Sequence, residues 1–414
     1  MDQDPPVPGQ PTRAPGRIAT TLSAFRVPGY PVAWAAYGAT VAGWSASMVV
    51  VGWIALELSN SSFVVGATYA ARLLPSLFLG IPMGALADRL ERRTALSIIN
   101  GVGSASLVLL AVRAATGNLS LAELLLASVV LGVVDTFRGT LSQSYVVDLA
   151  GPDRATNALA LSNLGAMVFG AVGAAVGGLV LDLSGPAAAF LAAAAGGAIA
   201  AAILLAGRRQ AGTRPMPRGP KVDARRAMTL LFRNRSVALI TVVVILGEML
   251  GWASLTLFPT FARDVLHTDA AGLGAMTAAR SIGGIGGTLG LASGGRSRDG
   301  ALLLSTTGLF GIALVAFAAS SVFVLSIGIL VIVGGAMAAL DTLGQTLVQR
   351  NVEDHERGAA MGIWYFAIGF GPFGHLGLGA AAAILGAPVA LAVSGGLLAA
   401  SAVVLSLTAR TRHL

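Results

Sequence analysis

The chain has no cysteine, a single lysine (Lys221) and only four histidines in 414 residues. Without cysteine there is no disulfide, no thiolate metal site and no cysteine nucleophile. His267, His355, His375 and His413 are scattered, with no HExxH-type spacing, so no zinc site is expected. Charge is scarce as well: 11% of residues are Asp, Glu, Lys or Arg, against about 25% in a typical soluble domain. GxxxxGK[ST] is missing, which argues against ATP-driven chemistry within this chain. Gly283-Gly284-Ile285-Gly286-Gly287 is glycine-rich but lies inside an apolar run with no preceding strand, so it reads as a helix-packing surface. The few charges in apolar runs do not assemble an acid, a base and a nucleophile, so an enzyme is not expected, nor any cofactor. The first 31 residues contain no apolar h-region, and no cleavable signal peptide is expected.

Apolar residues are plentiful instead. They make up 55% of the chain, with 54 glycines and a mean hydropathy of +0.79. A water-soluble fold could not bury so much apolar surface, which places the chain in a lipid bilayer. Runs of about 20 apolar residues predict an all-α membrane protein with twelve transmembrane helices. The expected spans are 32–56, 62–86, 95–115, 120–142, 156–181, 186–206, 236–261, 268–293, 301–319, 321–348, 358–384 and 387–408. The expected organisation is an N-terminal tail (1–31), a six-helix bundle (32–206), a basic Pro-rich linker (207–235), a second six-helix bundle (236–408) and a short tail (409–414).

The net charge of +8 does not point to nucleic acid, because the basic residues sit between apolar runs. With the N-terminus inside, 22 of the 27 Lys and Arg residues are cytoplasmic, Arg113 and Arg263 are outside, and Arg72, Arg138 and Arg280 lie within spans. That bias predicts both termini in the cytoplasm.

The two halves repeat. Asp135-Thr136-x3-Thr140-Leu141-x-Gln143-x4-Asp148 recurs as Asp341-Thr342-x3-Thr346-Leu347-x-Gln349-x4-Asp354, and Gly84, Arg92 and Leu96 recur as Gly290, Arg298 and Leu302, all 206 residues on. Gly43-Trp44 matches Gly251-Trp252, and Ala71-Arg72 matches Ala279-Arg280, at 208. A duplicated six-helix unit suits a carrier whose central site opens to alternate sides.

The segment Gly84-Ala-Leu-Ala-Asp88-Arg89-Leu-Glu-Arg92-Arg93 resembles the signature loop of the major facilitator superfamily, and its decayed copy (Gly290 to Arg298) lacks the acid. Ala71-Arg72-Leu-Leu-Pro75 and Asp153-Arg154-Ala-Thr-Asn157-Ala158 look like the bacterial branch of enterobactin exporters and drug effluxers. The exporter motif G-P-x-x-G-G of span five is present only without its proline, as Gly173-Ala174-Ala-Val-Gly177-Gly178. The resemblance implies outward transport of an amphipathic small molecule, driven by protons across a cell (inner) membrane by a monomer. An uptake permease, and a sensor or assembly protein that no longer transports, stay open as alternatives.

Several side chains stand out. Gly84, Asp88, Arg89, Arg92 and Arg93 are expected to form a gate that pairs in one conformation only. Glu248 and Arg280 lie near mid-span in spans seven and eight, where charge is costly. They form either a structural ion pair or a proton carrier with its tuning cation. Arg72 has no obvious acid at its depth, with Glu57 the nearest within reach, and a structural role is expected. Asp135 and Asp341, near the cytoplasmic ends of spans four and ten, and Arg138 one turn beyond Asp135, read as parts of the inner gate. Tyr37, Val41, Trp44 and Met48 share a face of span one, as Glu248, Trp252, Leu255 and Pro259 do of span seven. By the resemblance these spans line the central cavity, which makes Tyr37, Trp44, Met48 and Trp252 candidates for substrate contact. The alternative is simple packing. His375 is expected to bond a neighbouring carbonyl, with proton transfer as the alternative, and Gly371-Pro372 to bend span eleven.

Overall fold

A computed structural model describes residues 23–87, 90–151, 153–206, 224–293, 300–353 and 356–408. Among the described residues there is no strand, as a bilayer demands of a chain that does not close a barrel: each backbone N–H and C=O must be satisfied within its own segment. The helices are α1 (Tyr30–Ser59), α2 (Ser62–Ala87), α3 (Arg92–Ala115), α4 (Leu121–Ala150), α5 (Ala155–Ala206), α6 (Ala224–Arg233), α7 (Arg235–Leu246), α8 (Ala270–Ser293), α9 (Gly300–Ala318), α10 (Phe323–Arg350), α11 (Arg357–Ile368), α12 (Gly371–Leu385) and α13 (Ala387–Thr408). Ten helical stretches among the described residues are long and apolar enough to cross a membrane.

Three helical runs are interrupted, two of them at Gly-Pro steps. The 52 residues of α5 would run about 78 Å if straight, far beyond the roughly 30 Å of bilayer hydrocarbon. Gly185 breaks it with φ 79°, a conformation that disfavours any side chain, and Pro186 supplies no N–H to continue the ladder. The run after α7 widens into a π turn at Gly247–Gly251, tightens into a 3₁₀ turn at Trp252–Leu257 and widens again at Phe261–Val265. The regular helical face expected for Glu248, Trp252, Leu255 and Pro259 is therefore absent. The expected span eleven is divided between α11 and α12, with Pro372 at the second residue of α12.

Polar termini close the helices. Ser120 and Glu123 form a reciprocal capping box at α4, Asn234 caps α7, and Glu91 accepts from Thr94 at the start of α3. The end of the expected linker is ordered: α6 occupies 224–233, Arg233 reaches Glu356 at 2.6 Å, and Asn234 donates to the Asn351 carbonyl at 2.7 Å. Residues 207–223 lie outside the described region.

Small residues set the packing, because lipid offers no hydrophobic drive for helices to associate. A Cβ on Gly196 of α5 would lie 2.6 Å from the Gly43 Cα of α1, and one on Gly287 of α8 would lie 2.8 Å from the Gly335 Cα of α10. Large apolar side chains such as Phe78, Leu183, Ile384 and Leu407 face outward, 68–82% exposed. Such a surface is stable only in lipid.

Candidate functional site

The repeat places two related clusters of polar side chains inside the bundle. In the first, α1 contributes Trp44 and Ser47, α2 contributes Arg72, and α4 contributes Asp135 and Arg138. Arg72 Nε lies 2.7 Å from Asp135 Oδ2, and Arg138 Nη2 lies 2.7 Å from Asp135 Oδ1. Trp44 Nε1 donates to Asp135 Oδ2 at 3.0 Å, and Arg72 Nη1 donates to Ser47 Oγ at 2.9 Å. The Arg72 guanidinium also lies 5.9 Å from the centre of the Trp44 ring. Asp135 thus holds two cations and an indole N–H, and charge-assisted bonds of this kind are about twice as strong as neutral ones.

This cluster corrects the sequence reading of Arg72. Its acid is Asp135, in the middle of α4, whereas Glu57 accepts from Trp53 Nε1 at 2.7 Å. The two were hard to pair from sequence because they are 63 residues apart and meet only through helix packing. Thr40 and Asn100 belong beside them. They bond each other at 3.1 Å and, with Trp44, Ser47, Arg72 and Asp135, line a cavity of about 20 Å³, room for about one water. Their signal was polarity inside apolar spans.

The second cluster repeats the residue types without the bonds. Arg280 of α8 is 8% exposed, and its guanidinium lies 5.1 Å from the centre of the Trp252 ring. Arg280 Nη1 contacts Met337 Sδ at 3.2 Å. Its Nε, the Trp252 Nε1 and the Asp341 Oδ1 are all buried without a hydrogen-bond partner. The Trp252 indole N–H is directed at the Asp341 carboxyl at the margin of a hydrogen bond, and its Nε1 stays outside full hydrogen-bond geometry. Glu248, 8% exposed, sits in the π turn, a feature often found at functional positions. Asp341 bears electrostatically on Glu248, and Arg280 on Asp341. No ion pair joins Glu248 to Arg280 among the described residues, so the first of the two expected arrangements is not the one adopted.

Beside this cluster, His375 of α12 shares a hydrogen bond of 2.7 Å with Thr256 Oγ1, in place of the expected carbonyl, and packs edge-on against Tyr69 with ring centres 5.6 Å apart. Tyr69 in turn donates to the Met48 carbonyl at 3.1 Å. Tyr69 and Thr256 escaped the sequence reading, although Tyr69 precedes Arg72 by one helical turn. Met48 and Tyr37 are half-buried.

The helices before and after the linker meet on the side away from the signature loop. Ser62 and Thr260 hydroxyls are 2.9 Å apart, and Arg263 donates to Asn60 at 2.6 Å. A Cβ on Gly178 of α5 would lie 2.8 Å from the Gly274 Cα of α8. In the signature segment, Gly84 is within α2, while Asp88 and Arg89 lie outside the described residues. Arg92 pairs with Asp148 and donates to the Ser144 carbonyl at 2.8 Å, and Arg93 donates to the Leu204 and Leu205 carbonyls. Arg92 and Arg93 thus tie the loop to α4 and α5.

Residues 19–413 match the model of a family described as transmembrane secretion effector, and the chain belongs to that family of major facilitator transporters. None of the curated proteins compared matches it. Solved structures share the fold. A point mutant of the nucleoside transporter NupG superposes with a TM-score of 0.75 at 16% identity, covering 91% of this chain and 99% of that one. An inward-facing, occupied bacterial homologue of the human lysosomal transporter Spinster gives 0.72 at 17%, covering 92% and 96%. An autoinhibited POT family peptide transporter gives 0.70 at 13%, covering 93% and 97%. Fold and family are those of a secondary transporter.

Proposed function

We propose that this member of the transmembrane secretion effector family is a proton-coupled exporter of an amphipathic small molecule, working by alternating access. The carrying observation is the second cluster: Glu248, Arg280 and Asp341 lie within the bundle, and Glu248 and Arg280 are 8% exposed without an ion pair between them. Ionisable groups at membrane depth are costly and mark ion or substrate paths. Glu248 carries the proton in this reading, and Arg280 tunes it. Trp252, Trp44, Met48 and Tyr37 supply aromatic and polarizable surface for the substrate. Asp88, Arg89, Arg92 and Arg93 act with Asp135, Arg138 and Asp341 in gating the cytoplasmic side.

The topology proposed is twelve spans in two six-helix units, 32–206 and 236–408. It counts α5 as two spans across Gly185 and includes α8. Both termini are cytoplasmic, the membrane is the inner membrane, and the monomer is the working unit. The motifs around Arg72 and Arg154 support the exporter branch.

The test is dye accumulation in inverted vesicles under an imposed pH gradient, comparing wild type with Glu248→Gln. Accumulation that follows the gradient and is lost in the variant supports the reading. Equal accumulation in both removes Glu248 as the coupling group. An uptake permease is the second reading, supported by the likeness to a nucleoside transporter. It predicts gradient-driven entry into right-side-out cells or vesicles and none into inverted ones.

A further inference from the structure

The atoms left without partners in the second cluster are related by the repeat to atoms that are bonded in the first. Trp44, Arg72 and Asp135 correspond to Trp252, Arg280 and Asp341 at offsets of 208, 208 and 206. In the first copy the indole N–H and the guanidinium Nε both meet the carboxylate. In the second copy the same two nitrogens, and one carboxylate oxygen, are buried and unbonded. Each such group keeps its desolvation penalty uncompensated, so the open arrangement needs something that opposes closure.

Two differences between the copies supply it. Arg138, which grips Asp135, has Gly344 as its counterpart at offset 206, and Glu248 stands where the first copy has Thr40, at offset 208. The first copy therefore holds two guanidiniums and one carboxyl, and the second holds one guanidinium and two carboxyls. In the first, the carboxylate is outnumbered by guanidiniums that hold it in its ionised form, and the cluster carries a net charge of +1. The second is neutral only when its two acids share one proton.

We propose that Trp252, Arg280 and Asp341 are a switchable copy of the locked Trp44–Arg72–Asp135 triad, and that one proton shared by Glu248 and Asp341 holds it open. Loss of that proton leaves Asp341 ionised, and Trp252 and Arg280 close on it as Trp44 and Arg72 do on Asp135. Tyr69 of α2 and His375 of α12 border the site. On the other elements packed around α10, α9 carries no titratable side chain, and α7 and α11 carry Arg235 and Arg357 at their first positions and the half-exposed Tyr365. The inference rests on the proton-linked transporter reading above and adds to it a stoichiometry of one proton and a moving part.

The experiment follows the emission of a variant whose only tryptophan is Trp252, in proteoliposomes with no substrate, across a pH series. The expected result is a reversible spectral change fitting one proton, abolished by Asp341→Asn and altered by Glu248→Gln. A variant retaining only Trp44 shows no titration. As a second readout that leaves all tryptophans in place, the infrared band of a protonated carboxyl in the wild-type protein disappears over the same pH range and is absent in Asp341→Asn. A flat Trp252 response, or a titration that survives Asp341→Asn, overturns the proposal. Because neither readout requires transport, a titrating triad in a protein that fails the vesicle assay refutes proton-driven export and leaves the switch standing.

Discussion

Equivalent substitutions in the two copies have unequal consequences for stability. Asp135→Asn removes the charge that Arg72, 5% exposed, and Arg138 both hold at 2.7 Å. Removing one partner of a buried pair leaves an uncompensated charge at a cost of about 3–5 kcal/mol. In the bilayer-embedded bundle Arg72 has Ser47 as its remaining bonded neighbour, which relieves little of that. Asp341→Asn changes a group whose Oδ1 has no hydrogen bond, and its cost is expected to stay below about 1 kcal/mol. For an unfolding unit of about 150–250 residues, the first figure lowers the melting temperature by roughly 6–20 °C and the second by no more than about 4 °C. The assay is thermal unfolding in detergent, read as the loss of the monodisperse peak with temperature, for wild type and both variants. Equal shifts would show that the two triads carry the same energetic weight, and the distinction between a locked and an open copy would fall.

Other predictions are narrower. Gly178→Val places a branched side chain where even a Cβ lies 2.8 Å from the Gly274 Cα. It should open the face closed by Ser62–Thr260. In this naturally cysteine-free chain, that opening is measured by labelling a single cysteine placed at Ser62, and unchanged labelling would count against the contact. Ser120→Ala deletes one arm of the capping box and should cost about 1 kcal/mol, seen as a small drop in melting temperature with transport retained. Thr256→Val removes the hydroxyl bonded to His375 and should cost about 1 kcal/mol. A His375→Gln variant that gains nothing from adding Thr256→Val would show the two act as a unit.

Much was readable from the chain alone. Absent cysteine and scarce charge, with 55% apolar residues, placed it in a bilayer. There hydrogen-bond satisfaction leaves helices as the available element once barrel-like alternation is absent. Gly371-Pro372 announced an interruption because a missing N–H acts within one or two residues, and the gap between the spans expected at 156–181 and 186–206 takes in Gly185, where the structure breaks α5. Repeat offsets of 206 and 208 related Arg72 to Arg280 and Asp135 to Asp341 without any coordinates. The intrahelical Arg138–Asp135 contact was likewise implied by spacing alone.

Only tertiary structure joined Arg72 to Asp135, since the partner of a buried guanidinium is chosen by which helices touch. Only it showed that Trp44 spends its N–H on Asp135 while Trp252, in the same motif, reaches hydrogen-bond geometry with no acceptor. The π turn at Glu248 was invisible for a related reason. A period of 3.6 residues is assumed in any sequence reading of a helix, and a local widening of the ladder leaves no mark in residue type. Sequence therefore determined the solvent, the class of element and the duplicated set of candidate side chains. Packing decided which copy of that set is bonded and which is left open, because a bond between distant helices depends on sub-ångström placement that composition and spacing do not carry.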